Sequence, residues 1–312
     1  MSSIQSLQGI ALIIAMVLIP MLIVVLILTA WKRFVRNRNR RSPLTSELLR
    51  TPGFGLRQRI EDLTLDMHGD LMVVSWVPLL FWATYQVQSS ADPSVSPWIP
   101  WVYAGIAVAF VAYQTLKIVR QAEKRQKYAE GLDGELATAQ LLEPIIAGGG
   151  RVLHDIQAPG FNIDHVVVAP GGVFSVETKH RLKSTRGKPA EQTRVVFDGT
   201  ALAFPGWTDV KTAEQARAQG RWLSERLTKS AGLPVSARPV IALPGWYVTV
   251  TRPSDVVAIN PKTCSFMLKP RNGEPALTAD SIQRIAFQVE QLCRMPDPST
   301  PRRTIDDRQT LR

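Results

Sequence analysis

Three apolar runs constrain this chain more than any motif in it: residues 10–31, 71–88 and 98–119 carry a single charge between them, Lys117. At 1.5 Å per residue, about 20 helical residues cross a hydrocarbon core of about 30 Å. A helix is also the one single-segment structure that satisfies its own backbone in lipid. Three transmembrane helices are therefore expected. Residues 1–9 hold no Lys or Arg, the first run is long, and no clear small-residue cleavage site follows it, so it reads as an uncleaved anchor rather than a secretory signal. Pro20 inside it is tolerable, because neighbouring helices can re-satisfy a freed carbonyl.

The flanks set an orientation. Residues 32–70 hold nine Lys/Arg and residues 117–127 five, whereas residues 88–96 hold none. Positive segments stay on the cytoplasmic side, so the expectation is an integral protein of the cell (inner) membrane with three spans, an outside N-terminus, a basic cytoplasmic loop at 32–70 and a cytoplasmic C-terminal domain. Trp31, Trp76, Trp82, Trp98 and Trp101 lie near the span ends, as interfacial anchors do. The same count reinterprets the net charge of +11, of which residues 128–312 keep only +4. Most of the basicity is juxtamembrane, where topology and a bilayer of anionic lipid explain it, so it is no argument for nucleic acid. Cys264 and Cys293 belong to no CxxC or Cys/His cluster; free thiols and no zinc site are expected.

From residue 128 the pattern becomes α/β. A helix fits 134–146, with Gly148-Gly149-Gly150 as its stop and Pro144 as a kink or early end. Strands fit 151–157, 162–169 and 173–179, a second hairpin fits 193–204 around Asp198-Gly199, and a long helix fits about 208–230 with Gly232 beyond it. Further strands fit 235–243 and 246–251, with weaker ones at 255–259 and 265–268. A helix at 281–293 presents Ile282, Ile285, Ala286, Val289 and Leu292 on one face. Residues 128–295 make one domain, and the polar tail 296–312 is expected to be disordered. A short amphipathic piece fits 56–65.

The turn Pro170-Gly171-Gly172 closes a hairpin whose paired positions sum to about 341–343, which sets Asp164 opposite Glu177 or its neighbour. Glu177 and Lys179, two apart, share a strand face. A carboxylate inside the apolar run 163–169 needs a partner. Two facing carboxylates repel, and Mg²⁺ or Mn²⁺ would relieve this through oxygen ligands, polarise a phosphoryl oxygen and acidify a bound water, with Lys179 offsetting developing charge. Against this stands a plain solvated Glu–Lys pair, worth under about 1 kcal/mol. His154, His165 and His180 fall outside the set; the latter two adjoin its residues but should point to the other face.

Gly131-Leu132-Asp133-Gly134-Glu135, Asn162-Ile163-Asp164-His165-Val166-Val167-Val168, Gly172-Val173-Phe174-Ser175-Val176-Glu177-Thr178-Lys179 and Gln215 in the next helix together resemble the nuclease-related domain (NERD) family of the PD-(D/E)xK nuclease-like superfamily, over roughly residues 128–245. The resemblance implies a restriction-endonuclease-like mixed sheet flanked by helices, here preceded by the three transmembrane helices. It implies Mg²⁺-dependent (or Mn²⁺-dependent) phosphodiester hydrolysis of DNA, with Asp164 and Glu177 as metal ligands, Lys179 as the catalytic lysine, Glu135 as an auxiliary acid and Gln215 in support. The chain departs from the family pattern where Arg181–Arg186 intervenes before Gly187 and where Asp209-Val210-Lys211 replaces the usual Asn-Pro pair ahead of the Gln. Lys183, Arg186, Lys188 and Arg194 are candidate phosphate contacts there, or a solvated loop. Two rivals stay open: a membrane-tethered module that binds nucleic acid or protein without cutting, and a scaffold whose helices carry the function.

Overall fold

The computed structural model describes residues 22–23, 26–27, 29–30, 48–91, 94, 96–184 and 191–294. Most of the first apolar run, Trp31, residues 32–47, Arg186, Lys188 and the tail 296–312 lie outside the described residues. The described residues fall into two compact units, one with Glu61–Arg125 and the other with Ser46–Ile60 and the described part of Gln126–Arg312.

Two long helices come first, α1 (Phe54–Ala91) and α2 (Ile99–Ala147). They correct the expected membrane layout. Residues 54–70 are helix, not loop. The second apolar run sits within α1, but Ser75, Pro78, Thr84, Gln86 and Gln88 dilute it. Among the described residues one helix, α2, is long and apolar enough to cross a membrane, in place of the three expected. Its apolar part is exposed, Trp101 by 78% and Val108 by 69%. Within Glu61–Arg125, Lys117 of α2 pairs with Asp70 of α1 at 2.6 Å.

α2 also joins what read as separate pieces, the third run and the helix at 134–146. Residues 121–130 are rich in Ala, Glu, Lys, Gln and Arg, strong helix formers that carry the helix through Gly131 and Gly134. Pro144 falls in its last turn, and the glycine run ends it: Gly148 N–H donates to the Pro144 carbonyl at 3.0 Å and Gly150 N–H to that of Ile145 at 2.9 Å.

The second unit is built on a mixed five-stranded sheet. Its first three strands, β1 (Arg151–Ala158), β2 (Phe161–Ala169) and β3 (Gly172–Thr178), form an antiparallel meander. The sheet continues in parallel through β7 (Ala237–Ala242) and β9 (Val257–Ile259). Gly171 holds the turn between β2 and β3 against a neighbouring segment; its N–H donates to the Met267 carbonyl at 2.9 Å, and a Cβ there would run into the carbonyls of Met267 and Lys269. A smaller sheet pairs β4 (Arg194–Phe197) with β5 (Leu202–Phe204) as expected, and adds β6 (Trp207–Asp209) and β8 (Tyr247–Val250) at its edges.

Helices cover both faces of the larger sheet. α3 (Lys211–Ala231) and α4 (Ala279–Glu290) bury Leu223, Leu227, Ile282, Ile285 and Val289 against Leu153, Ile156, Ile163, Val166 and Val168. On the other face Leu142 and Ile145 of α2 pack with Met267 onto Val167, Phe174, Val176 and Val240. α3 stops where expected, at Gly232 in the left-handed conformation (φ 67°). The segment Pro261–Leu268 is a 3₁₀ helix rather than the weak strand expected at 265–268, because Pro261 opens it and the Asn260 side chain accepts from Lys262 N–H. Asp155 takes φ 51°, and this kink lets Leu153 and Ile156, three apart, enter the same apolar cluster.

Candidate active site

The hairpin sets the centre of the site. His165 pairs with Val176 and Val168 with Val173, so one further step of the register brings Asp164 opposite Glu177. Asp164 Oδ2 accepts the Thr178 N–H at 2.7 Å. Both acids are buried, Asp164 at 8% and Glu177 at 4% exposure. They lie at the carboxyl end of β3, where it runs parallel to β7, the end of an α/β sheet at which ligands bind. Lys179, just past the strand, is fixed by its N–H donating to the Ala242 carbonyl at 2.9 Å. Its Nζ donates to Glu177 Oε1 at 2.6 Å and to Gln215 Oε1 at 3.2 Å.

α3 supplies two amides, not one. Gln215 Nε2 donates to Glu177 Oε1 at 2.8 Å, and Gln219, one turn on, donates through Nε2 to Glu177 Oε2 at 2.5 Å and to the Asn162 carbonyl at 3.1 Å. The helix comes this close because Gly220 has no Cβ: one there would sit 3.1 Å from the Ala237 carbonyl and 3.3 Å from Ser175 Oγ. Gln219 is absent from the sequence reading. The signal was there, a Gln at i+4 from the candidate Gln215, between apolar Ala216 and Leu223.

Glu135 reaches the same cluster from α2. It is 6% exposed, and its Oε2 has no hydrogen-bond partner. Burial, with the carboxylates of Asp155 and Glu177, pushes its pKa up to about 7. Asp164 is raised well above the ordinary carboxylate range, by burial first and then by Glu177 and Glu135. Asp155, also missed in the sequence, is 1% exposed and held by Arg50 Nη1 at 2.9 Å and Asn162 Nδ2 at 3.1 Å. All five residues singled out in the sequence, Glu135, Asp164, Glu177, Lys179 and Gln215, thus come to one end of the sheet, joined by Gln219 and Asp155.

Among the described residues no three His, Cys, Asp or Glu side chains converge on one ion. Two carboxylates remain, Asp164 and Glu177, and these fit Mg²⁺ or Mn²⁺, since Mg²⁺ commonly takes one or two protein carboxylates and keeps several waters. Asp164, raised by burial first and then by Glu177 and Glu135, is an acid whose ionised form a bound cation would favour.

Electrostatics also fix a pH dependence. Glu135 holds its proton more tightly folded than unfolded, so the unfolded chain binds fewer protons between the ordinary value of 4.5 and about 7. Stability therefore falls as pH rises through that window and levels off above it. In chelator, unfolding free energy should drop between pH 5 and pH 8 on the order of 2–3 kcal/mol from this group, with Asp164 acting in the same direction. Glu135→Gln should flatten the profile; an unchanged slope would remove Glu135 from the repelling cluster.

The other histidines stand apart. His154 Nδ1 meets His165 Nδ1 at 2.8 Å with the rings edge to face, and burial lowers the pKa of His154 to about 4. His180 Nδ1 donates to the Glu130 carbonyl at 2.6 Å. Lys183 Nζ bonds the Gly245 carbonyl at 2.6 Å, and Arg194 lies exposed on β4.

A family model described as the nuclease-related domain matches residues 130–244, and that domain is found here from the end of α2 to just past β7. No curated protein and no solved structure matches the chain. The matched segment holds every residue of the cluster except Arg50.

Proposed function

We propose, with the nuclease-related domain at residues 130–244 as premise, that this chain is a membrane-anchored nuclease hydrolysing phosphodiester bonds of DNA with Mg²⁺ or Mn²⁺. The observation that carries it is the Lys179–Glu177–Gln215 network beside Asp164. Asp164 and Glu177 would hold the ion, which when bound polarises the phosphate and acidifies a water. Lys179 Nζ orients the attacking water and offsets charge developing on the phosphate. Gln215 and Gln219 fix the Glu177 carboxylate, and Glu135, titrating near neutrality, accepts a proton. The test is the detergent-solubilised full chain with supercoiled plasmid and with single-stranded DNA. Cleavage with Mg²⁺ or Mn²⁺ that stops in chelator is expected, and a metal-independent cut, or no cut of either substrate, sinks this reading.

A second reading, a binding module that does not cut, is favoured by one observation. Both oxygens of Glu177 already accept hydrogen bonds, from Lys179, Gln215 and Gln219. Mn²⁺ titration by calorimetry tests the site itself, since an intact Asp164/Glu177 pair should bind the ion and a purely structural hairpin should not.

For placement, we infer that α2 anchors the chain in the inner membrane with the C-terminal domain cytoplasmic, supported by its apolar, exposed surface and by the basic flanks. Release of the chain from membranes by alkaline carbonate would overturn it.

A further inference from the structure

Immediately beyond Lys179 the chain runs along the smaller sheet, and there an exposed planar stack is assembled. The Trp207 ring of β6 lies on Phe204 of β5, centroids 4.4 Å apart and planes 1° apart. The Arg181 guanidinium lies over the same Trp207 ring, 5.6 Å from its centroid. Phe204 is buried, whereas Trp207 is 45% exposed and the Arg181 side chain 42%. The group therefore runs from the core at Phe204 to solvent at Trp207 and Arg181.

Its outer members are held in place. Trp246 Nε1 donates to the Arg181 carbonyl at 3.2 Å, and Lys183 crosses the Trp246 ring at 5.4 Å. Tyr247, 73% exposed, follows Trp246 and pairs in register with Arg194. Asp209 pairs with Arg181 at 3.8 Å and also accepts from Lys211 N–H, Thr212 N–H and the Thr212 hydroxyl. Lys183 bonds only a neutral carbonyl among its described contacts, so its charge is not neutralised. The surface thus offers flat apolar area and surplus positive charge together. It starts two residues from Lys179, within about 7 Å of backbone.

A solvated loop needs no such stack. A duplex has no exposed base faces to place on it, whereas an unpaired strand offers stacking faces and phosphates at once. We propose that Phe204, Trp207 and Arg181 form a stacking platform for a base of single-stranded nucleic acid, with Lys183 and Arg194 on its phosphates, leading the strand toward Asp164 and Glu177. The proposal rests on the nuclease reading above and names its substrate class.

The experiment is fluorescence anisotropy of the full chain in detergent and chelator, with a labelled 20-nucleotide oligothymidine and a duplex of equal length. The single strand should bind at least about tenfold more tightly than the duplex. Arg181→Lys, which keeps the charge and loses the plane, should weaken single-strand binding roughly tenfold. Trp207→Ala should do the same, while Trp207→Phe should stay within about threefold, which separates a lost platform from a misfolded sheet. Equal affinity for duplex, or wild-type affinity in Arg181→Lys, overturns the proposal. The two readings fail separately. Platform-dependent binding without any cutting sinks the hydrolysis alone, whereas cutting with platform-independent binding, or with no binding of either oligonucleotide, sinks the platform alone.

Discussion

Glu177→Ala and Lys179→Ala should each reduce metal-dependent DNA cleavage by about 10²–10³-fold or more under single-turnover conditions. The reason is geometric. Glu177 is the residue that the lysine and both glutamines converge on, so its removal takes away an oxygen proposed for the metal and releases Lys179 Nζ and two amides at once. Lys179 has no substitute within the network, because Gln215 and Gln219 bring neutral donors that cannot offset a developing negative charge. Gln215→Ala should cost far less, since Gln219 still holds the second Glu177 oxygen. Cleavage that persists in both the Glu177 and the Lys179 variants would remove the catalytic assignment.

Arg50→Ala should be among the most destabilising single changes outside the matched domain segment. Asp155 is 1% exposed and Arg50 is its cation, with side-chain exposures of 12% and 1% in the pair. Removing one partner of a buried pair leaves an uncompensated charge and costs about 3–5 kcal/mol. For a domain of this size that is a fall in Tm on the order of 10 °C. Arg50→Ala combined with Asp155→Asn should recover much of the loss, because the stranded charge is gone. Thermal unfolding of the three variants by circular dichroism tests it, and a Tm within about 2 °C of wild type in the single variant would show that the pair is dispensable.

Several parts of this architecture were legible in the residues themselves. The turn at Pro170-Gly171-Gly172 sets the hairpin register and with it the meeting of Asp164 and Glu177. Spacing of Ile282, Ile285, Ala286 and Val289 marks α4, and Gly232 marks the end of α3. What escaped depends on contacts between remote segments or on context. Arg50 and Asp155 are 105 positions apart, and no local pattern announces such a pair. Gln219 reads as one more polar helix residue until Gly220 brings α3 against β3. α2 was divided in the sequence because the pattern becomes α/β near residue 128 and Gly131 and Gly134 follow, although the helix itself runs on through that change. β6 is three residues long, too short for any period to register.

The chain separations within the site also imply an order of assembly. Asp164 and Thr178 meet across 14 positions, whereas Gln215 and Gln219 reach Glu177 across 38 and 42. Closing the shorter loop costs less entropy, so the meander can bring the two acids together before α3 docks. The mutually repelling centre is then made first, by a tight turn, and the amides that clasp it arrive late. A nascent domain would accordingly hold an acid pair able to capture cations before it holds the groups that position the lysine.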